Sequence, residues 1–394
     1  MGHDLTATHT QLSPIPLHAS RGLTLVRGEG SYLWDEKDRR YLDLMTNYGV
    51  NLLGHAHPQV TDAIKLQASL LTNAHQSFDT PARQDFLEAL GALLPPPLSR
   101  ISFGNSGAEA IEAALKFARV ATGRIGIIAA HRAYHGRTFG ALSATADAKY
   151  RDPFAPMLEG VRHVPFDDLD ALDSVLDDSV AAVIVEPIQG EGGIRVPADG
   201  YLKGIRERCD ARGILLICDE IQTGFRTGSP FAFSRDDIVP DILCLSKSIA
   251  NGLPIGVTIT TEAVSDRVPR GSHGSTFAGN PLVCAAGAVS LRLLADETLH
   301  ARAAQAGTRF QQRIRDLRLP QVREVRGRGL MLAVELKKPS TPVIRAMQEQ
   351  GVLVLPGGGT VIRFLPSILI QDAQLDDGID ALAGALARPA DTQD

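Results

Sequence analysis

The residues best placed to do chemistry are an acidic pair and a lysine, each standing at the end of an apolar run. Ile214-Leu215-Leu216-Ile217-Cys218 stops abruptly at Asp219-Glu220, and Ile242-Leu243-Cys244-Leu245 stops at Ser246-Lys247. Short apolar runs bounded by polar residues predict strands buried on both faces. A charge at the end of such a strand is costly to bury unless it is paired or used. In open α/β sheets the ligand crevice lies beyond the carboxyl ends of the strands, which is where Asp219 and Lys247 would sit. An amine and a carboxylate in one crevice suit pyridoxal phosphate: the lysine forms the Schiff base, and the aspartate keeps the ring nitrogen protonated, so that the ring accepts electrons. A plain buried ion pair, or two unrelated surface residues, would leave the same trace at these two positions.

The elements around them narrow the choice. A short strand at 101–103 leads into Gly104-Asn105-Ser106-Gly107-Ala108, and a helix begins at Glu109 with Ile111, Leu115 and Ala118 on one face. Free backbone N–H groups and the positive end of the helix dipole make such a loop a phosphate cradle. Ser106 with Glu109 is equally a capping box that only starts the helix. A strand at 125–130 is followed by Tyr134-His135-Gly136-Arg137, and one at 180–185 by Glu186-Pro187 and the loop holding Glu191. With a helix at 202–212 before the two opening strands, this alternation predicts a largely parallel sheet with helices on both faces.

The flanks read differently. Residues 21–45 predict an antiparallel meander (23–26, 31–34, 41–44), with helices at 59–71 and 81–94 after it and a long helix at 282–294. The tail has helices near 297–316, 341–350 and 373–387, strands at 322–326 and 330–335, and a hairpin pairing 352–355 with 361–364 around Gly357-Gly358-Gly359. The expected organisation is therefore α/β. An N-terminal segment (1–55) contributes to a small domain, a large domain (56–295) carries the mostly parallel sheet, and a small α+β domain (296–394) closes the chain.

Bulk properties exclude several classes. The 394 residues are long for one core, and a net charge of −5 without any basic run offers no footprint for nucleic acid. No stretch approaches the roughly 18 apolar residues of a membrane helix. Cys209, Cys218, Cys244 and Cys284 show no C-x-x-C spacing, and two fall inside apolar runs, as buried thiols in a reducing compartment would. The N-terminus has no apolar signal region; Met1-Gly2 with Thr6 fits a loose myristoylation pattern, but no second anchoring signal is near. A cytoplasmic protein is expected. His55 and His57 lack a third metal ligand and read as a helix-entry turn before Pro58, so no metal is expected.

The motifs together resemble the class III, fold-type I pyridoxal phosphate aminotransferases from about residue 20 onward. The resemblance rests on Asn105-Ser106-Gly107-Ala108-Glu109-Ala110, Tyr134-His135-Gly136-Arg137, Glu186-Pro187-Ile188-Gln189-Gly190-Glu191-Gly192-Gly193, Asp219-Glu220-Ile221-Gln222-Thr223-Gly224, Lys247, and Gly274-Ser275-Thr276 with Gly279-Asn280-Pro281. Within the class the chain is similar to the acetylornithine aminotransferase branch, and especially to the relative acting on precursors held by an amino-group carrier protein. Lys149-Tyr150-Arg151-Asp152-Pro153-Phe154 and Val361-Ile362-Arg363-Phe364-Leu365-Pro366 carry that nearer likeness.

The resemblance implies a role for each matching residue. Lys247 would bind the cofactor and then move the proton, for which its amine must be neutral. Asp219 would hold the ring nitrogen, Gln222 would lie near the ring hydroxyl, Tyr134 would stack on the ring, and Ser106, Gly107 and Ala108 would hold the phosphate. Thr276 would reach the phosphate of the other subunit of a homodimer, with Ser275 touching substrate. Arg137 would hold the substrate's distal carboxylate, and Arg363 would grip the α-carboxylate of glutamate, with Glu191 neutralising it for the other substrate. Tyr48 would contact substrate. Arg363 could otherwise be a solvated hairpin residue and Glu191 a loop charge. Four positions depart from the family pattern: Ala108 stands for a common threonine, Ile111 for a usual asparagine, Ala278 for a usual glycine, and Ser248-Ile249-Ala250-Asn251-Gly252 is less glycine-rich than usual.

The expected activity is transfer of a terminal amino group between glutamate/2-oxoglutarate and a carrier-bound lysine or ornithine precursor. N-acetylornithine is the alternative substrate. An aminomutase on the same cofactor would be indifferent to 2-oxoglutarate, and a non-catalytic regulatory protein would not need both Lys247 and Asp219. A carrier would need a basic rim at the pocket mouth, for which Arg151, Arg326 and Arg328 are candidates.

Overall fold

The computed structural model describes residues 12–387. The Met1-Gly2 lipidation pattern and the start of the N-terminal segment lie outside the described residues.

The chain begins with an antiparallel meander of β1 (Leu25–Glu29), β2 (Tyr32–Asp35) and β3 (Arg40–Asp43). Its tight turn is set by Asp35, whose Oδ1 accepts the backbone N–H of both Lys37 and Arg39 at 2.9 Å.

The main sheet has seven strands: β4 (Leu98–Gly104), β5 (Gly126–Ala130), β6 (Val161–Val164), β7 (Val180–Val185), β8 (Leu215–Asp219), β9 (Ile242–Leu245) and β10 (Gly256–Thr261). Their order is β4-β10-β9-β8-β7-β5-β6. From β6 across to β9 every neighbouring pair is parallel, whereas β10 runs antiparallel to both β9 and β4. The sequence reading missed β6 and β10. In β10 the threonines of Gly256-Val257-Thr258-Ile259-Thr260-Thr261 hide a central strand. Thr258 is only 1% exposed because its hydroxyl donates to the Ala110 carbonyl at 2.8 Å.

The helix Gly107–Thr122 lies on this sheet through Ala110, Ile111, Ala113, Ala114, Leu115, Phe117 and Ala118. The many alanines let it approach closely, and Ile111 packs with Ile217, Ile242 and Cys244 in the core beneath it. One family departure is thus a core residue. The four cysteines are buried and unpaired.

The C-terminal part carries β11 (Val322–Arg328), β12 (Met331–Leu336), β13 (Val352–Leu353), β14 (Leu355–Pro356) and β15 (Val361–Phe364). The sheet order is β11-β12-β15-β14. The expected hairpin is split. Only Leu355 and Pro356 pair with β15, while β13 runs parallel to β3, where Gly351 and Leu353 carbonyls accept the N–H groups of Leu42 and Leu44 at 2.7 and 2.9 Å. The unpaired edge of the N-terminal meander takes these residues, and that knits the two ends of the chain together.

Candidate active site

β8 is apolar up to its last residue, Asp219, and β9 is apolar throughout with Lys247 just beyond it; the two strands deliver Asp219 and Lys247 to one inner cavity of about 320 Å³. Lys247 opens a single turn after β9 with φ +44°, a strained conformation for a side-chain-bearing residue. The turn ends at Asn251, itself left-handed, whose side chain accepts from Leu53 N–H at 2.9 Å and donates to the Gly54 carbonyl at 3.0 Å. The asparagine that departs from a glycine-rich pattern therefore ties the lysine turn to the 51–54 loop.

Asp219 is 4% exposed. Its Oδ2 lies 2.7 Å from His135 Nδ1, and its Oδ1 accepts from Ile221 N–H at 3.1 Å. Burial holds the Lys247 amine below its usual pKa. Glu191, Asp219 and Glu186 pull it back up, and the Arg226 charge pushes it further down. Glu186 is pushed up to about 7, chiefly by burial. Its carboxyl accepts Tyr134 N–H and Gly190 N–H, both at 2.9 Å, and so joins the loop of the aromatic to the loop of Glu191.

Ser106 caps the helix, its Oγ accepting Glu109 N–H at 3.2 Å. The reciprocal half of the box is shifted by one residue, since the Glu109 carboxylate binds the N–H groups of Asn105 instead. Gly107 and Ala108 line the inner cavity, whereas Ser106 does not.

These groups fit pyridoxal phosphate. A helix N-terminus offers free N–H groups to a phosphate, Asp219 offers a buried carboxylate to a ring nitrogen, and Lys247 offers an amine to a carbonyl. Gln222 Oε1 and His135 Nε2 are buried polar atoms with no partner among the described residues, as expected where a polar ligand completes the set.

An outer cavity of about 650 Å³ shares Tyr134 and Glu191 with the inner one and is also lined by Tyr48, Tyr150 and Arg363. Arg363 is fully buried and so is not a solvated hairpin residue. Its Nη1 donates to Glu191 Oε1 at 2.8 Å and its Nε to the Pro356 carbonyl at 2.9 Å, while Nη2 is buried without a partner. The Tyr48 ring centroid is 5.7 Å from the Arg363 guanidinium carbon. Arg137 lines the inner cavity and has no carboxylate partner among the described residues. It is held by tyrosines, with Nε donating to Tyr134 Oη at 3.2 Å and the guanidinium 4.6 Å from the Tyr150 ring centroid.

Two candidates are not brought in. Ser275 accepts from Asn105 Nδ2 at 2.8 Å, and Thr276 is exposed; neither lines either cavity of its own chain. Of the rim candidates, Arg326 is only 8% exposed and holds Gly193 O and Glu335 Oε2 at 2.7 Å each. Arg328 is half-buried near Arg235, Asp236 and Asp199, and Arg151 does not line the outer cavity, whereas Arg132 and Lys149 do. His135, Glu186 and Arg132 are the site residues that sequence reasoning passed over. Glu186 was marked only by its place directly after β7, while His135 lies within the loop that follows β5.

The family model for aminotransferase class-III matches residues 17–386. A LysW-aminoadipate semialdehyde/glutamate semialdehyde transaminase of Sulfolobus acidocaldarius is 42% identical over 95% of this chain and 97% of its own. An acetylornithine aminotransferase of Methanopyrus kandleri is 42% identical over 92% of this chain and 94% of its own. Among solved structures, the ornithine aminotransferase of Toxoplasma gondii superposes with a TM-score of 0.90 at 35% identity, covering 94% of this chain and 92% of that one.

Proposed function

The chain belongs to the class-III aminotransferases, pyridoxal phosphate-dependent transaminases, and we propose that it exchanges a terminal amino group between glutamate/2-oxoglutarate and a carrier-protein-bound lysine (aminoadipate semialdehyde) or ornithine precursor in lysine and arginine biosynthesis. One observation carries the two-substrate reading: the buried Arg363 is paired with Glu191 at 2.8 Å. Such an arginine can grip the α-carboxylate of glutamate when Glu191 withdraws. It stays neutralised when the second substrate brings no carboxylate there.

The size of the outer cavity, about 650 Å³, supports a long or acylated amine over free ornithine. Arg132 and Lys149 on its wall would suit an acidic carrier. N-acetylornithine is the second reading, and relatives of both descriptions are equally similar to this chain, at 42% identity.

When bound, the cofactor supplies an electron sink for the substrate carbon that loses its proton. Lys247 would hold it covalently, Gly107 and Ala108 N–H groups would hold its phosphate with Ser106 fixing that turn, Asp219 its ring nitrogen and Gln222 its ring hydroxyl. Tyr134 covers one side of the inner cavity. The Lys247 amine, kept toward neutrality by burial, takes the proton from the substrate carbon and returns it. Arg137 orients the distal carboxylate, so that this carbon faces Lys247 Nζ.

A homodimer is part of the proposal. It is supported by Ser275 and Thr276 lying outside their own chain's cavities beside Phe277, which is 64% exposed. A cytoplasmic setting is supported by the buried, unpaired thiols. No helix of the described residues is long and apolar enough to cross a membrane.

Single-turnover mixing tests the substrate assignment. Carrier-bound lysine is expected to convert the cofactor absorbance faster than N-acetylornithine does. Conversion by neither, with conversion by another amine, overturns it.

A further inference from the structure

Arg226 is, with Arg363, among the largest of the fully buried side chains, and it has no acidic partner among the described residues. Its Nη2 donates to the Gly49 carbonyl, while Nε and Nη1 have no hydrogen-bond partner among the described residues. Burial alone lowers its pKa to about 10. A buried, uncompensated guanidinium is expensive, so its placement calls for an explanation.

The explanation lies in what the Gly49 carbonyl belongs to. Thr46, Asn47, Tyr48 and Gly49 have φ of 39°, 49°, 60° and 87°, a run of left-handed backbone of which only the last residue is glycine. Such a turn is strained at each residue that carries a side chain, so it persists only where its surroundings hold it. Its first half is anchored by Asp43 Oδ1, which accepts Met45 and Thr46 N–H at 2.9 Å, and by Thr46 Oγ1, which donates to the Leu365 carbonyl at 2.6 Å. Its last residue is anchored from the side by Arg226. The fit is close, since a Cβ on Gly49 would meet Arg226 Nη2 at 2.7 Å. Between the two anchors stands Tyr48, whose ring faces Arg363 across the outer cavity.

We propose that Arg226 is a positioning residue for the carboxylate grip: by holding the Gly49 carbonyl it keeps the left-handed turn in place and sets the Tyr48 ring against Arg363. Arg226 lines neither cavity, and it acts on the carboxylate grip through Tyr48. The short motif that supplies Asp219 and Gln222 thus reaches, seven residues beyond Asp219, into the substrate side of the site. This inference rests on the reading of Arg363 as the grip for glutamate.

The test is a double-mutant cycle on the holoenzyme between Arg226→Lys and Tyr48→Leu. It is read as KM and kcat for glutamate and as the dissociation constant of glutarate, an unreactive dicarboxylate, by calorimetric titration. Arg226→Lys is expected to weaken glutarate and raise the glutamate KM about fivefold in the native background, with kcat changed less, and to change both by under about twofold when Tyr48 is already leucine. Equal factors in both backgrounds overturn the proposal, as does a lowered melting temperature with unchanged glutarate affinity. If Arg226→Lys does not fold, Tyr48→Leu alone must weaken glutarate by a similar factor at unchanged melting temperature, and no weakening overturns it. Arg363→Ala separates the two levels. If glutarate still binds that variant normally, the assignment of Arg363 falls, and this inference falls with it.

Discussion

His135 Nδ1 sits 2.7 Å from Asp219 Oδ2, and both side chains are buried at the carboxyl end of β8. An ionised carboxylate only accepts, so Nδ1 carries the proton and the ring orients Asp219 toward the inner cavity. The contact joins the loop after β5 to the end of β8, 84 residues away in the chain, and it fixes the group proposed to hold the cofactor's ring nitrogen.

His135→Ala is therefore expected to lower kcat by about 10- to 100-fold, the worth of a hydrogen bond to a charged group. KM for both substrates should change little, and the absorption band of the bound cofactor should shift. A kcat within a factor of about two of the native value would remove His135 from the mechanism.

Glu191→Gln keeps the shape of the Arg363 contact and removes its charge. The free guanidinium should then take glutamate more tightly, while any substrate without a carboxylate at that point leaves a buried charge unneutralised. The expected result is a glutamate KM lowered several-fold and a kcat/KM for the terminal-amine substrate lowered about tenfold or more. Parallel changes for both substrates would argue against the gate.

Glu220 gives a stability test that needs no cofactor. Its carboxyl is pushed up to about 7 by burial, although Thr223 Oγ1 and Phe233 N–H donate to it. A carboxyl with a raised folded pKa binds more protons in the native than in the unfolded state. Its contribution is complete below the unfolded value of 4.5 and is lost as pH rises through about 7. His163 acts the other way, because burial lowers its imidazole to about 4 and stability then grows with pH up to 6.5. The difference between Glu220→Gln and the native chain isolates the carboxyl. Urea unfolding at pH 5 and pH 8 should show the native protein losing roughly 2–3 kcal/mol more than the variant over that interval. Equal losses in both would sink the assignment.

The charges at the ends of β8 and β9 were legible because buried apolar runs end sharply, and a charged residue at such an end stands out from sequence alone. His135 and Arg226 stand at no such end, and Glu186 does, directly after β7, but the partners of all three lie far away in the chain: 84 residues to Asp219, 177 to Gly49 and 52 to Tyr134. Nothing local marks such pairings. β10 was lost because its threonines imitate an exposed strand, and the C-terminal hairpin was overdrawn because the edge of β3 competes for Val352 and Leu353. Arg326 looked like a rim charge because alternation along β11 says nothing of the carbonyls of Gly193 and Ile194 waiting above it.

Arg137 presents the last case, a cation held in place without an anion. The Tyr150 ring lies 4.6 Å from its guanidinium carbon, Tyr134 Oη accepts from its Nε, and the two tyrosines meet edge-on at 5.8 Å. An ion pair would have to be broken before a substrate carboxylate could bind, whereas an aromatic cradle leaves the planar fork free for bidentate contact. Arg137→Lys keeps the charge and loses the fork, so kcat/KM for the terminal-amine substrate should fall about 10- to 100-fold. Tyr150→Phe keeps the ring and should stay within about twofold of native, while Tyr150→Ala frees the arginine and should cost about 3- to 30-fold, the range for a cation–π contact. The order native, Phe, Ala, read from kcat/KM, is what the cradle requires. A Tyr150→Phe loss as large as that of Tyr150→Ala would show that the hydroxyl, and not the ring face, does the holding.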